Sequence, residues 1–186
     1  IGPGTGNLTS EIIKKKPLKL ILIEKDEKFI KILKENYGKK NNVKYVNKDI
    51  LKINLEKLIS KNQIVFGNLP YNISSQILVK FIKMQEWPPN YDRLIFMFQK
   101  EVGEKIIAEF GSRNYSRLSI ITKSRFKVSN YFYVTKNCFF PRPKVDSIVI
   151  EFQPAIKKDI VFKSIKSLEH VTNAFFSNKR KMIKKT

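Results

Sequence analysis

The chain of 186 residues holds one cysteine, Cys138, and one histidine, His170. A single thiol cannot close a disulfide within the chain, and one thiol with one imidazole cannot build a Cys/His zinc site, so a disulfide scaffold and a zinc module are both excluded and no metal is expected. Long apolar runs are also missing. None reaches the ~20 residues that a membrane span requires, and no leader pattern opens the sequence, so a soluble chain in a reducing, cytoplasmic setting without a membrane partner is expected. Acids are scarce as well: 16 Asp and Glu stand against 37 Lys and Arg, a formal net charge of +21. Such an excess goes beyond what solubility needs and suits a polyanion, although a lysine-rich solvated face is the ordinary use of such residues. Cys138 is expected to pack as a small hydrophobe beside Phe139, and His170 to sit on an exposed or half-buried helix face.

What is present begins with Asn68-Leu69-Pro70-Tyr71, set between an apolar run and a helix-like stretch. Asn and Pro are common turn residues, so the tetrapeptide alone also reads as a strand-end turn. Its chemistry suits methylation of a planar amine. An exocyclic base nitrogen is a poor nucleophile because its lone pair is spread into the ring. The Asn68 amide oxygen and the Leu69 carbonyl, both accepting from that amine, would draw it toward a tetrahedral shape and restore the lone pair. Pro70 fixes φ and donates nothing, and Tyr71 offers a flat face for a base.

Three features upstream narrow the reading. Gly2, Gly4 and Gly6 alternate in Ile1-Gly2-Pro3-Gly4-Thr5-Gly6-Asn7, a pattern that lets backbone approach a ligand and turn into a helix. Glu24, followed by Lys25, ends the next apolar run, where a carboxylate can accept both ribose hydroxyls of a nucleoside. A third run leads to Asp49 and Ile50, and the Asp49 carboxylate would accept from an adenine amine. A lone glycine loop is weak evidence; the loop, Glu24, Asp49 and the tetrapeptide, each after an expected strand and in that order, are specific together.

With these residues in place the sequence resembles the ribosomal RNA adenine dimethyltransferases, over nearly its whole length. The resemblance includes Phe98-Gln99-Lys100-Glu101-Val102, Asn114-Tyr115-Ser116-Arg117-Leu118-Ser119, Phe139-Phe140-Pro141-Arg142-Pro143-Lys144-Val145-Asp146-Ser147 and Phe176-Ser177-Asn178-Lys179-Arg180-Lys181. It implies an S-adenosylmethionine-dependent enzyme that dimethylates the N6 atoms of two adjacent adenosines near the 3′ end of small-subunit ribosomal RNA. Gly2, Gly4, Gly6, Glu24, Lys25, Asp49, Ile50 and Asn68 are then the cofactor candidates. Asn68, Leu69, Pro70, Tyr71 and Phe139 are the target-base candidates, with Phe140 the alternative ring. Arg113, Arg117, Arg142, Lys144, Lys179, Arg180 and Lys181 are candidate phosphate contacts, each individually weak. The implied partners are ribosomal RNA and the small subunit or its precursor, and a monomer is expected. Three rivals remain: a large-subunit adenine methyltransferase of the antibiotic-resistance type, a non-catalytic RNA-binding factor on the same fold, and a nicotinamide dehydrogenase. The last expects G-x-G-x-x-G rather than G-x-G-x-G.

Periodicity predicts an α/β chain. Strands are expected at 18–23, 43–46, 64–67 (buried), 93–98, 126–134 and 145–152. Asp26 should cap a helix with Phe29, Ile30, Leu33 and Tyr37 inward that ends at Gly38; Leu55, Leu58 and Ile59 suit a short helix. Ser74 or Ser75 should start another with Ile77, Leu78, Phe81 and Ile82 inward, and residues 100–110 and 116–123 read as helices. The resemblance adds a Rossmann-like methyltransferase sheet with helices on both faces and a last strand inserted antiparallel. A methyltransferase domain at 1–152 and a partial helical domain at 153–186 are expected. The resemblance also implies segments beyond both ends, including the strand that feeds the glycine loop.

Overall fold

The computed structural model describes residues 1–156, 162 and 164–177. Two groups of strands carry the architecture. β1 (Leu20–Glu24) and β2 (Val43–Asn47) pair in parallel; β3 (Gln63–Asn68), β4 (Tyr91–Gln99), β6 (Ser147–Pro154) and β5 (Phe126–Val134) form a four-stranded sheet in that spatial order. β3 and β4 are parallel, and β6 enters between β4 and β5 antiparallel to both, as the resemblance implied. The first two residues lie between the groups: the Ile1 nitrogen donates to the Phe66 carbonyl at 2.7 Å and the Gly2 N–H to the Ile23 carbonyl at 2.9 Å. The strand order therefore runs outward in opposite directions from β1 and from β3. Right-handed crossovers then place α2 (Glu27–Tyr37) and α3 (Ser74–Ile82) on opposite faces, and ligands of such sheets sit at the carboxyl ends beside this reversal.

Local sequence explains the elements. Gly6, at φ 96°, precedes α1 (Asn7–Lys14); a side chain there would press on Leu33 and Tyr37. The Asp26 carboxylate accepts from the Lys28 N–H to cap α2, which buries Ile30 and Leu33 and stops at Gly38. α3 buries Ile77, Leu78, Phe81 and Ile82, the four residues at helical spacing. Phe81 meets Tyr91 and Phe96 edge to face, and Phe96, Phe98, Phe126 and Phe152 continue the ring cluster at the centre of the core.

Several expectations are corrected. β3 is not buried throughout: Ile64 is exposed, because β3 edges its sheet among the described residues. Residues 54–59 make a turn rather than a helix. The N–H groups of Leu58 and Ile59 share the Leu55 carbonyl, and Asn54 caps the turn through Glu56 and Lys57, too short a stretch to repay helix nucleation. α4 ends at Ile107 (Lys100–Ile107) rather than near Phe110, because Ser119 and Lys123 of α5 (Arg117–Lys123) donate to the carbonyls of Lys105 and Ala108. Cys138 is exposed, in a 3-10 turn rather than in the core.

The sheet continues to Pro154, and the Ala155 N–H bonds the Arg125 carbonyl at 2.8 Å. Beyond it α6 (Ile165–Ser177) packs on α5, buries Ile165 in the main core and presents Glu169 to Lys83 at 2.9 Å and to Arg117 at 3.5 Å. His170 lies exposed on this helix. Among the described residues, no helix is long and apolar enough to cross a membrane.

Candidate active site

Three strands end side by side, and each ends on a polar residue. At the end of β1 the Glu24 carboxylate accepts from three backbone N–H groups: Lys25 at 2.8 Å and Asp26 at 3.0 Å on Oε1, and Gly4 at 3.2 Å on Oε2. The Gly4 bond ties the glycine loop to this acid. A carboxylate has about four lone-pair sites, so Oε2 keeps one for a further donor. Asn47, the last residue of β2, secures the same corner by donating to the carbonyls of both Glu24 and Lys25 at 3.0 Å. Two residues on, Asp49 caps the 3-10 turn Ile50–Lys52, its Oδ1 accepting from the Leu51 N–H at 2.9 Å. That bond, reinforced by Lys25 3.6 Å from Oδ2, holds the Asp49 carboxyl below the usual carboxylate range, so it remains an acceptor at neutral pH. Ile50 beside it is buried.

Gly2 and Gly4 take φ of 59° and 54°, which favour glycine, and Gly2 passes close to the Asn68 carbonyl. The glycine loop thus lies against the end of β3, where the tetrapeptide begins. Asn68, Leu69, Pro70 and Tyr71 line an open cleft of about 300 Å³ together with Met97, Phe139, Pro141 and Pro143. Leu69 anchors it with a buried side chain, while the Asn68 side chain is exposed, and among the described residues no hydrogen bond engages its amide. Tyr71 is fixed from β6: its hydroxyl meets the hydroxyl of Ser147, the first residue of that strand, at 2.7 Å.

Phe139, not Phe140, is the second ring of the cleft; Phe140 points fully into solvent. Phe139, Pro141 and Pro143 line the cleft, whereas Phe140, Arg142 and Lys144 are exposed and do not line it. Asp146 holds this loop in place by accepting the Lys136 N–H at 2.9 Å on Oδ1, and its carbonyl accepts the Lys100 N–H at 2.9 Å.

Among the phosphate-contact candidates, Arg113 is exposed on the α4–α5 loop, and Arg142 and Lys144 flank the cleft. Arg117 is half-buried and paired with Glu169 at 3.5 Å. Lys179, Arg180 and Lys181 lie outside the described residues. Sequence reasoning missed Met97, Asn47 and Ser147. Met97 was detectable as a position on β4 facing the end of β3, whereas the roles of Asn47 and Ser147 depend on contacts remote in sequence.

The profile described as ribosomal RNA adenine dimethylase matches residues 1–186. The chain is 44% identical to ribosomal RNA small subunit methyltransferase A of Pelagibacter ubique over 185 residues, 100% of this chain and 70% of that protein. It is 35% identical to the protein of the same name from Malacoplasma penetrans, covering 98% of this chain and 64% of that one. A crystal structure of a dimethyladenosine transferase from Plasmodium falciparum superposes with a TM-score of 0.80 at 32% identity, over 97% of this chain and 63% of that one. The structure of the 23S rRNA methyltransferase ErmE gives 0.75 at 24% identity over 98% of this chain and 70% of that one, a likeness of fold alone. The chain thus spans roughly two thirds of the length of these relatives.

Proposed function

Because the chain belongs to the ribosomal RNA adenine dimethylase family, we propose that the protein uses S-adenosylmethionine to dimethylate the N6 atoms of two adjacent adenosines near the 3′ end of small-subunit ribosomal RNA during ribosome biogenesis. The observation that carries this reading is the cleft: Asn68, whose amide is unengaged among the described residues, lines it at a strand end together with Leu69, Tyr71 and Phe139, and the glycine loop lies beside the Asn68 carbonyl.

The residues present fit the cofactor. Glu24 would accept from one ribose hydroxyl through the remaining site on Oε2, Asp49 would accept from the adenine amine, and Gly2 and Gly4 would admit the backbone to close contact. When bound, the cofactor supplies a methyl on a sulfonium, already a good leaving group. The protein therefore has to position the amine and free its lone pair. Asn68 and Leu69 would bond the N6 hydrogens more strongly as positive charge develops there, which stabilises the transition state more than the ground state. No protein base is needed, because the protonated product amine is strongly acidic and loses its proton to water. Tyr71 and Phe139 would hold a base taken out of its stack, and stacking worth about 1–3 kcal/mol per base offsets an extrusion cost of a few kcal/mol.

The stretch beyond the end of β6 at Pro154, which includes α6, would begin a helical unit beside the catalytic one. Incubation of the protein with labelled S-adenosylmethionine and separated ribosomal subunits, followed by mapping of the modified base, tests the reading. Label on two adjacent small-subunit adenosines is expected; label confined to the large subunit would assign the enzyme to the antibiotic-resistance type instead.

A further inference from the structure

The edge strand β5 carries a charge at Lys127 and a register shift at Val128–Asn130, features that blunt an edge, but its second half, Tyr131 to Tyr133, carries three rings and no charge. β5 pairs with β6 alone among the described strands, and Tyr131, Phe132 and Tyr133 expose 47%, 56% and 50% of their surface. Tyr131 and Tyr133 share one face and meet edge to face at 6.1 Å, and the Lys100 ammonium stands 5.5 Å from the centre of the Tyr133 ring. Their ladder partners Ile150 and Ile148 are buried beneath Gly103 of α4, so the two tyrosines begin where the cover of that helix stops. Contiguous exposed apolar surface of this kind marks a contact site.

Charge decides what it contacts. Residues 127–145 contain no Asp or Glu, but they include Lys127, Lys136, Arg142 and Lys144. The first acid that follows, Asp146, already accepts the Lys136 N–H. The same stretch runs from the edge strand straight into the loop whose inner side lines the cleft and whose outer side presents Phe140. Rings beside cations, with no acid between them, suit bases joined by phosphates. A second copy of a chain carrying +21 would be repelled from the same edge.

We propose that Tyr131, Tyr133 and Lys100 form a stacking shelf for the unpaired RNA nucleotides that adjoin the target adenosine. The shelf rests on the reading of the cleft as the base pocket. The rings take the base faces without sequence preference, and Lys100 meets a phosphate. The target nucleotide is thereby held on both sides of the extrusion, at Phe139 and at the edge strand.

The test is fluorescence anisotropy of a short single-stranded RNA carrying one adenosine, titrated with the protein and its variants. Replacing both rings together (Tyr131→Leu with Tyr133→Leu) should weaken binding about tenfold or more, whereas Tyr131→Phe with Tyr133→Phe should stay within about twofold, because stacking needs the ring and not the hydroxyl. Lys100→Ala should lower the slope of affinity against salt by about one phosphate contact, and the leucine pair should leave that slope unchanged. Wild-type affinity in the leucine pair overturns the shelf. Should that pair fail to fold by circular dichroism, photo-crosslinking of the unaltered protein to the same RNA carrying 5-iodouridine beside the adenosine decides the matter. Crosslinks within residues 127–134 support the shelf, and crosslinks confined to other segments overturn it. Concentration-dependent dimers in sedimentation that the leucine pair abolishes would give the edge to a second copy and overturn it too. A wild-type protein that binds this RNA through the rings yet leaves small-subunit RNA unmethylated would defeat the proposed function while the shelf stands.

Discussion

Tyr71 and Ser147, 76 positions apart in the chain, join hydroxyl to hydroxyl at 2.7 Å, so that the first residue of β6 sets the attitude of a ring at the end of β3. Ser147 is fully buried, and its neighbour Asp146 holds the loop that carries Phe139. Two consecutive residues therefore anchor both walls of the cleft.

Ser147→Ala and Tyr71→Phe each remove this bond from one side. Each should lower kcat/KM on ribosomal RNA roughly three- to tenfold, the range of one ordinary hydrogen bond. Because the loss is shared, the double variant should fall little further than either single one. Steady-state kinetics on the four proteins is the measurement, with calorimetry as a control that S-adenosylmethionine affinity is kept. Losses that multiply would mean that the two hydroxyls act independently.

Asn68→Ala should lower single-turnover methylation about a hundredfold or more, the scale seen when a group that stabilises developing charge is removed. RNA affinity in filter binding should stay close to that of the unaltered protein, since phosphate contacts elsewhere supply most of it. A variant that methylates at near-normal rate would remove Asn68 from the mechanism.

Glu24→Ala should weaken S-adenosylmethionine binding by roughly tenfold to a hundredfold through loss of a charged acceptor, and Asp49→Ala should weaken it too. The Asp49 contribution has a pH signature. The Leu51 N–H, then Lys25, holds the Asp49 carboxyl below its usual range. A group whose pKa is depressed contributes above its ordinary pKa and loses that contribution as pH falls through the lowered value. The Asp49 part of the affinity should therefore persist until pH falls below the ordinary carboxylate range, and the Asp49→Ala protein should lack that part of the fall. Calorimetry across pH checks both; an Asp49 variant with an unaltered acid limb would place the adenine elsewhere.

The parts legible in the sequence are those whose cause is local. Asp26 and the spacing of Ile30 and Leu33 define α2 unaided, and strand ends at Glu24 and Asn68 follow from apolar runs that stop at a polar residue. The misread parts depend on distant partners. Arg117 reads as a surface cation, and only the return of α6 shows its ion pair with Glu169. Cys138 looked like core beside Phe139, yet the turn that contains it is held outward at Lys136 by Asp146. Ser147 stood within a recognised motif, but nothing local marks it as the partner of a tyrosine on another strand.

Gly103 offers a last test, because two local rules give opposite signs there. In the middle of α4, glycine costs about 1 kcal/mol relative to alanine, so propensity alone says that Gly103→Ala stabilises. The structure says otherwise. An added Cβ would collide with the γ2 methyl of Ile148 and touch Ile150, both fully buried in β6. Overpacking of a filled core costs about 1–3 kcal/mol, and contact this direct belongs at the upper end, so net destabilisation of about 1–2 kcal/mol is expected in denaturant titration. The consequence should reach the cleft, because Ile148 follows Ser147 and cannot shift without disturbing the bond to Tyr71. Methylation by Gly103→Ala should therefore fall under conditions where the protein is still folded, with S-adenosylmethionine affinity kept. A variant that is more stable than the original and fully active would show that α4 can lift off β6 freely, and that the close approach at Gly103 does not hold the cleft in shape.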